Sequence, residues 1–268
     1  NSEKDGIKKA LLSLEKEIND RGGVCYKSYG YIDINKFPKV DCVITLGGDG
    51  TLIRAARDIS HLGIPLIGIN MGHMGYLTSI NKAGDIKNMV DILINDEYFI
   101  EKRMMISATV IRDGKEIRTL NALNEAVITR LERLKTIRCN VYIDGDFLNE
   151  YSSDGIIVAT PTGSTAYSLS AGGSIVHPSL NALSITPLLP QSLTARPIII
   201  DGKDKLKFKV YTRDNDAHLN IDGRECFQIK SEDKISATLS KKRVKIIRSK
   251  DSDYYNILRE KLKWGDSF

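Results

Sequence analysis

Val43-Ile44-Thr45-Leu46-Gly47-Gly48-Asp49-Gly50-Thr51 decides the reading of this chain. The first four residues are apolar or β-branched and, with Cys42 ahead of them, predict a short buried strand from Cys42 to Leu46, and Leu52 to Ile59 patterns as a helix. Three glycines between a strand and a helix let bare backbone approach a ligand, and the helix start offers N–H groups and a positive dipole end to an anion. Phosphate suits such a turn. A carboxylate in its middle does not, unless Asp49 takes up a proton or holds a metal ion. The plain alternative is an ordinary glycine-rich strand-to-helix turn in which Asp49 is a turn former.

On either side of this stretch the chain alternates helix and strand. Ile7, Ala10, Leu11, Leu14 and Ile18 recur at helical spacing, and Gly22-Gly23 closes that helix. Val24 to Tyr26 is a short apolar segment. Leu66 to Ile69, after Pro65, reads as a second buried strand, and Ile86, Met89, Val90 and Leu93 mark another helix. This alternation predicts an α/β, Rossmann-like domain with a parallel sheet covered on both faces, spanning 1–98. Ligands of such sheets bind beyond the strands' carboxyl ends, where Gly47 to Thr51 and Asn70 to Tyr76 fall.

From about Ile100 the pattern becomes short alternating runs: Ile106 to Ile111, Ala122 to Thr129, Ile137 to Ile143, Gly155 to Ala159, Lys205 to Tyr211, His218 to Ile221, Lys234 to Thr238 and Val244 to Ile247. Turns are signalled at Arg112-Asp113-Gly114, Asp144-Gly145-Asp146 and Ile221-Asp222-Gly223. An all-β sandwich over 99–248 is expected. Tyr254, Ile257, Leu258 and Leu262 then lie on one face of a closing helix, capped near Ser252 and ended at Trp264-Gly265, whose natural surface is the first domain's sheet.

Composition bounds the function. The chain has 268 residues, 41% hydrophobic and 27% charged, enough for two modest domains. No run approaches the roughly 18 apolar residues of a membrane span, and no leader segment is evident, so no membrane association is expected. The chain begins at Asn1 rather than Met, which suggests that a segment lies upstream. Cysteines 25, 42, 139 and 226 have neither C-x-x-C nor His spacing, which fits reduced thiols in a cytoplasmic protein. The net charge of +5 suits an anionic partner, but the basic residues form solvated faces with few interleaved aromatics, so no nucleic acid is expected.

A second stretch, Asp154 to Gly173, reads Asp-Gly-Ile-Ile-Val-Ala-Thr-Pro-Thr-Gly-Ser-Thr-Ala-Tyr-Ser-Leu-Ser-Ala-Gly-Gly. A buried strand runs into a Pro-Thr-Gly turn and a short helix starting near Ser164. Hydroxyls at Thr160, Thr162, Ser164, Thr165, Ser168 and Ser170 suit ribose, amide and base edges, and Tyr167 offers a face for stacking. The bland reading is a capped helix in a Ser/Thr-rich loop.

Taken together, Leu46 to Thr51, Asn70-Met-Gly-His-Met-Gly-Tyr76, Asn124-Glu125 and Asp154 to Gly173 resemble the ATP-NAD kinase family of bacterial type, the inorganic polyphosphate/ATP-NAD kinases. The first motif is shared with diacylglycerol and sphingosine kinases; the second is specific to NAD kinases. The resemblance implies a Rossmann-like domain, a β-sandwich NAD-binding domain, a final helix (249–268) returning to the first domain, and a homodimer or homotetramer. It implies transfer of the γ-phosphoryl of ATP, or of polyphosphate, to the adenosine-ribose 2′-hydroxyl of NAD. Asp49 would be the catalytic carboxylate and touch NAD with Gly50, while Gly47, Gly48, Gly50 and Thr51 present backbone to phosphates. Asn124 and Glu125 would hold the dinucleotide; Thr162, Thr165, Ala166 and Ser170 would border its bases; Tyr167 would stack, Asp154 accept from the nicotinamide end and Tyr76 line the cleft. His73 would structure its loop. Mg²⁺ or another divalent cation would come with ATP, aided by Asp49 or Glu125. Read from the residues alone, the bland alternative for Asn124 is a strand-edge turn residue, and Tyr76 is equally a core residue. Two departures stand out: many members carry Arg where this chain has Ser152, and a Cys-Pro-His-Ser/Thr-Leu run where it has Leu189 to Leu193, with Gln191 at the His. A lipid kinase of the diacylglycerol type, or a non-catalytic NAD(P)-binding regulator, are the competing readings.

Overall fold

Apolar side chains recurring every three to four residues, then every second residue, divide the chain into two kinds of structure. The computed structural model describes residues 2–30, 37–72, 75–78, 85–130, 136–212 and 217–265. They form two compact units, Asn1–Lys102 with Val244–Phe268, and Arg103–Arg243.

In the first unit, helix α1 (Ser2–Asn19), strand β1 (Val43–Leu46), helix α2 (Asp49–Ile59), strand β2 (Leu66–Ile69) and helix α3 (Ile86–Ile94) follow in order. β1 and β2 pair in parallel from Val43 opposite Leu66 to Leu46 opposite Ile69, and Ile246 adds a parallel contact to Leu66. α1 and α3 cover one face: Ala10, Leu14, Ile86, Met89 and Val90 pack with Ile67, Ile69 and Ile247. α2 lies on the other face, where Gly68 is so placed that a side chain would strike Leu52. The expected two-sided parallel sheet is present. Its helix α2 starts at Asp49, three residues ahead of the predicted Leu52, so Asp49, Gly50 and Thr51 form a first helical turn, not a loop. The segment Val24 to Tyr26 is no strand.

In the second unit the strands are β3 (Tyr98–Arg112), β4 (Lys115–Ala122), β5 (Glu125–Arg130), β6 (Ile137–Ile143), β7 (Asp146–Ser153), β8 (Gly155–Ala159), β9 (Ala182–Leu188), β10 (Ile198–Asp201), β11 (Leu206–Tyr211), β12 (Ala217–Ile221), β13 (Glu225–Ile229) and β14 (Lys234–Ser249). β3 and β14 continue into the first unit. One sheet runs β10-β9-β8-β5-β12-β13, and the other contains β14-β11-β6-β7, all antiparallel within this unit. A single core of Ile128, Ile156, Ile185 and Leu219 from the first, and Val141, Phe208, Val210 and Ala237 from the second, fills the space between them. This is the expected sandwich. The three Asp-Gly signals sit at hairpins, with Asp113, Asp144 and Asp222 at φ 51°, 50° and 48°.

Further boundaries differ from the sequence reading. The run Ala122 to Thr129 is broken at Leu123-Asn124, between β4 and β5. The expected strands Lys234 to Thr238 and Val244 to Ile247 are one strand, β14, of 16 residues. The closing helix α5 (Tyr254–Leu262) is capped by Asp253, whose carboxylate accepts the Tyr255 N–H at 2.9 Å, rather than by Ser252. It belongs to the first unit, and Lys261 Nζ stands 5.5 Å from the centre of the Tyr76 ring. Among the described residues no helix is long and apolar enough to cross a membrane.

Candidate active site

In the first unit, the strand-to-helix turn places Asp49 at the positive end of α2, where a carboxylate is favoured. Gly47 donates its N–H to Ile69 O at 3.0 Å, which locks the turn to the end of β2. Gly48 caps the helix through its backbone, its carbonyl accepting from Thr51 N at 2.9 Å. Gly50 and Thr51 complete the first helical turn. The Asp49 carboxylate is deeply engaged. Its Oδ2 accepts the Tyr76 N–H at 2.7 Å, and its Oδ1 accepts those of Leu77 and Thr78 at 3.0 and 3.1 Å. This approach requires Gly75, because a side chain there would run into Asp49 Oδ1. Asp49 thus ties the segment after β2 to the head of α2.

The same segment is gripped from its carbonyl side. Arg248, 4% exposed at the end of β14, donates from one Nη to Tyr76 O and from Nε to Glu101, both at 3.1 Å. The Tyr76 peptide is therefore clamped between a carboxylate and a guanidinium, a role for Arg248 that sequence reading missed. The Tyr76 ring is half-buried against Lys261, not in the core, and burial with the nearby Asp49 charge pushes its hydroxyl pKa up. His73 lies outside the described residues.

In the second unit, the break between β4 and β5 is held from two sides. Asp222 Oδ2 accepts the Leu123 N–H at 3.0 Å, and Oδ1 accepts those of Asn124 and Glu125 at 2.8 and 3.1 Å. On the carbonyl side, Thr160 donates its N–H to Asn124 O at 2.8 Å and its hydroxyl to Leu123 O at 2.6 Å. Gly163 packs so closely on Asn124 that a side chain would collide with that backbone. With the backbone satisfied, Asn124 Oδ1 and Glu125 Oε2 remain as buried oxygens without a hydrogen-bond partner among the described residues. Burial, with the Asp222 charge as the second cause, pushes Glu125 up to about 8, so it holds a proton at neutral pH.

The Asp154 to Gly173 stretch divides its labour differently from the expectation. Thr160, Ser164 and Ser168 are internal struts: Ser164 Oγ donates to Pro161 O at 2.7 Å and accepts from Val176 N at 2.9 Å, and Ser168 pairs with Thr186 Oγ1 at 3.0 Å. Thr162 Oγ1, buried, accepts from Arg103 at 3.2 Å, and Thr165 Oγ1 turns back to Thr162 O at 3.3 Å. The expected helix is a 3-10 turn, Gly163–Thr165, then one α turn, α4 (Tyr167–Ser170), with Ala166 between them. Tyr167, 48% exposed, and Ser170 present their side chains to solvent. The Asp154 carboxylate is met by Arg130 at 2.6 Å, a partner the spacing did not reveal. The two departures, Ser152 and Gln191, contact each other: Ser152 Oγ donates to Gln191 Oε1 at 2.8 Å, and Gln191 N donates to Ser152 O at 2.9 Å.

An α/β unit with a glycine turn at a helix head, joined to a β-sandwich with buried amide and carboxyl oxygens left open, defines a two-domain nucleotide-binding protein. Comparison with known proteins narrows the class. The family model described as the ATP-NAD kinase N-terminal domain matches residues 12–98, and that of the ATP-NAD kinase C-terminal domain matches 123–249. The NAD kinase of Thiobacillus denitrificans is 37% identical over 272 residues, covering 97% of this chain and 93% of the relative. That of Moorella thermoacetica is 41% identical over 225 residues, covering 84% and 72%. Among solved structures, yeast NADH kinase complexed with NADH superposes with a TM-score of 0.78 at 27% identity, covering 86% of this chain and 69% of that one. An NAD kinase from Archaeoglobus fulgidus in complex with ATP shares the fold, with a TM-score of 0.79 at 23% identity and 94% coverage of both chains. The chain belongs to the ATP-NAD kinase family and is a kinase.

Proposed function

We propose that this chain transfers the γ-phosphoryl of ATP to the 2′-hydroxyl of the adenosine ribose of NAD, giving NADP and ADP. The observation that carries the reading is the match of both ATP-NAD kinase domains on one chain, each over the unit that bears its motif. The lipid-kinase alternative explains only the glycine turn, and nothing favours the regulator.

Phosphoryl transfer asks for positioning and charge stabilisation more than for covalent chemistry. Asp49 is assigned to the ribose hydroxyl. Among the described residues its Oδ2 accepts the Tyr76 N–H, and a carboxylate oxygen has acceptor capacity for a second donor. As the 2′-oxygen bonds to the γ-phosphorus and the bridge to the β-phosphate breaks, Asp49 takes the hydroxyl proton. The first turn of α2, with Gly47, Gly48, Gly50 and Thr51, is assigned to the phosphates. Asn124 and Glu125 are assigned to NAD because their open oxygens are buried acceptors or donors awaiting a polar ligand. Thr162, Thr165, Ala166, Tyr167 and Ser170 border the bases, and Tyr76 flanks Asp49. Asp154 serves NAD through its charge-paired carboxylate with Arg130.

A divalent cation such as Mg²⁺ fits as a companion of ATP: among the described residues no three His, Cys, Asp or Glu side chains gather as a cage, whereas Mg²⁺ prefers substrate phosphates and one or two carboxylates. Bound there, it would neutralise charge on the transferring phosphates, and the Asp49 carboxylate of the turn would help to hold it. We also propose a homo-oligomer, which the exposed apolar side chains of Leu189, Leu193 and Ile199 support. NADP formation measured with ATP, with polyphosphate and without donor tests the function; absence of NADP with every donor would refute it.

A further inference from the structure

We infer that Asp222 is a positioning residue of the NAD site, acting through Asn124 and Glu125, and not merely the first residue of an Asp-Gly turn. The inference rests on the NAD kinase reading and extends it to a residue outside its motifs. Turn geometry alone asks nothing of the Asp222 side chain. The β12–β13 hairpin is closed by the Arg224 N–H to Ile221 O at 3.1 Å, and Asp222 at φ 48° could equally be Asn or Gly. Instead the carboxylate reaches across 97 to 99 positions of sequence to collect three consecutive N–H groups, at 2.8 to 3.1 Å. The Asp222 N–H donates back to Glu125 O at 3.1 Å.

That arrangement fixes the backbone of Leu123, Asn124 and Glu125 without using either open side-chain oxygen. Asn124 Oδ1 and Glu125 Oε2 are left buried and, among the described residues, unpartnered. A segment that breaks a strand run would otherwise be free to rotate those side chains toward its own N–H groups, as Asn does in turns. Asp222 occupies the N–H groups first, so the side chains stay available to a ligand. The design is that of a rigid support behind a binding pair.

Asp222→Gly keeps the turn and removes the acceptor, and Asp222→Asn keeps one acceptor oxygen. NAD affinity, ATP KM and melting temperature are measured for both, alone and combined with Asn124→Ala. The expected result is a loss of NAD affinity of at least about tenfold for Asp222→Gly, smaller for Asp222→Asn, with ATP KM changed less than about twofold. In the Asn124→Ala background, the Asp222 substitutions should cost distinctly less NAD affinity, because the two residues act as one unit. NAD affinity unchanged, or NAD and ATP weakened together, or fully additive effects with Asn124→Ala, would each overturn the inference. Wild-type chain that forms no NADP would instead refute the kinase reading itself.

Discussion

The Tyr76 N–H donates to Asp49 Oδ2 at 2.7 Å, joining two residues 27 positions apart and tying the segment after β2 to the first turn of α2. Arg248 holds the carbonyl of the same residue. The carboxylate assigned to the chemistry is thus also a structural member. Its orientation depends on a peptide fixed from both sides, and the predictions for the first unit follow from that dependence.

Gly75→Ala should disable the enzyme while leaving it folded. The added Cβ falls on Asp49 Oδ1, so the carboxylate must swing away from the Tyr76, Leu77 and Thr78 N–H groups. A displacement of about 1 Å at a reacting group costs on the order of 100-fold in rate. Steady-state NADP formation should show that drop, with circular dichroism like the wild type.

Arg248→Met should be felt in both stability and turnover. It removes the donor to Tyr76 O and leaves Glu101 without its guanidinium. Charged hydrogen bonds of this kind contribute about 1.5–3 kcal/mol, so urea unfolding should show a loss of that size. Since Arg248 stands behind Tyr76, kcat should fall more than the KM for NAD rises.

Glu125→Gln should trade binding for stability. The folded Glu125 is raised from 4.5 to about 8. A raised carboxyl binds its proton more tightly in the folded than in the unfolded chain. Folding stability is therefore unaffected below about pH 4.5 and declines progressively as pH rises through about 8. Glu125→Gln removes that decline, which amounts to a few kcal/mol by pH 9. Thermal melts from pH 5 to 9 should show the variant overtaking wild type at the alkaline end, while NAD affinity falls. Parallel pH curves for the two proteins would remove the buried carboxyl from the account.

Thiol labelling under native conditions should distinguish the cysteines. Cys226 is exposed and Cys139 is buried, with burial pushing its thiol far up. Cys226 should react with an aromatic disulfide reagent at once, and Cys139 only on unfolding.

Much of the fold was legible because buried strands carry their signal locally. Leu66–Ile69 and Ile137–Ile143 match their apolar runs residue for residue. The strands that escaped reading are mostly edges: β7, β10 and β13 end their sheets, and one face of each meets solvent instead of a second apolar layer. β9 was hidden by Pro187, which normally argues against a strand. In β14 the run Lys241-Lys242-Arg243 resembles a break but is part of one continuous strand, with Lys241 and Arg243 exposed and Lys242 half-buried.

At the site, motif residues announced themselves by type and spacing, and their supports did not. Asp222 was legible as a turn residue, yet its bonds to Leu123, Asn124 and Glu125 exist only once β12 lies beside β5. Arg248 and Arg130 are likewise partners brought by topology, not by sequence distance. The hydroxyls of Asp154 to Gly173 were over-read for the same reason. A sequence shows that Ser164 and Ser168 can hydrogen-bond, but not that Val176 and Thr186 already claim them.

The central claim is that Asp49 handles the ribose hydroxyl during phosphoryl transfer, and Asp49→Asn tests it most directly. NAD binding by calorimetry, melting temperature and NADP formation from ATP are measured on the same preparation. The account predicts a folded variant that binds NAD within a few-fold of wild type and forms NADP at least about 100-fold more slowly. Turnover within about tenfold of wild type, with Asn at position 49 and NAD binding intact, would contradict it.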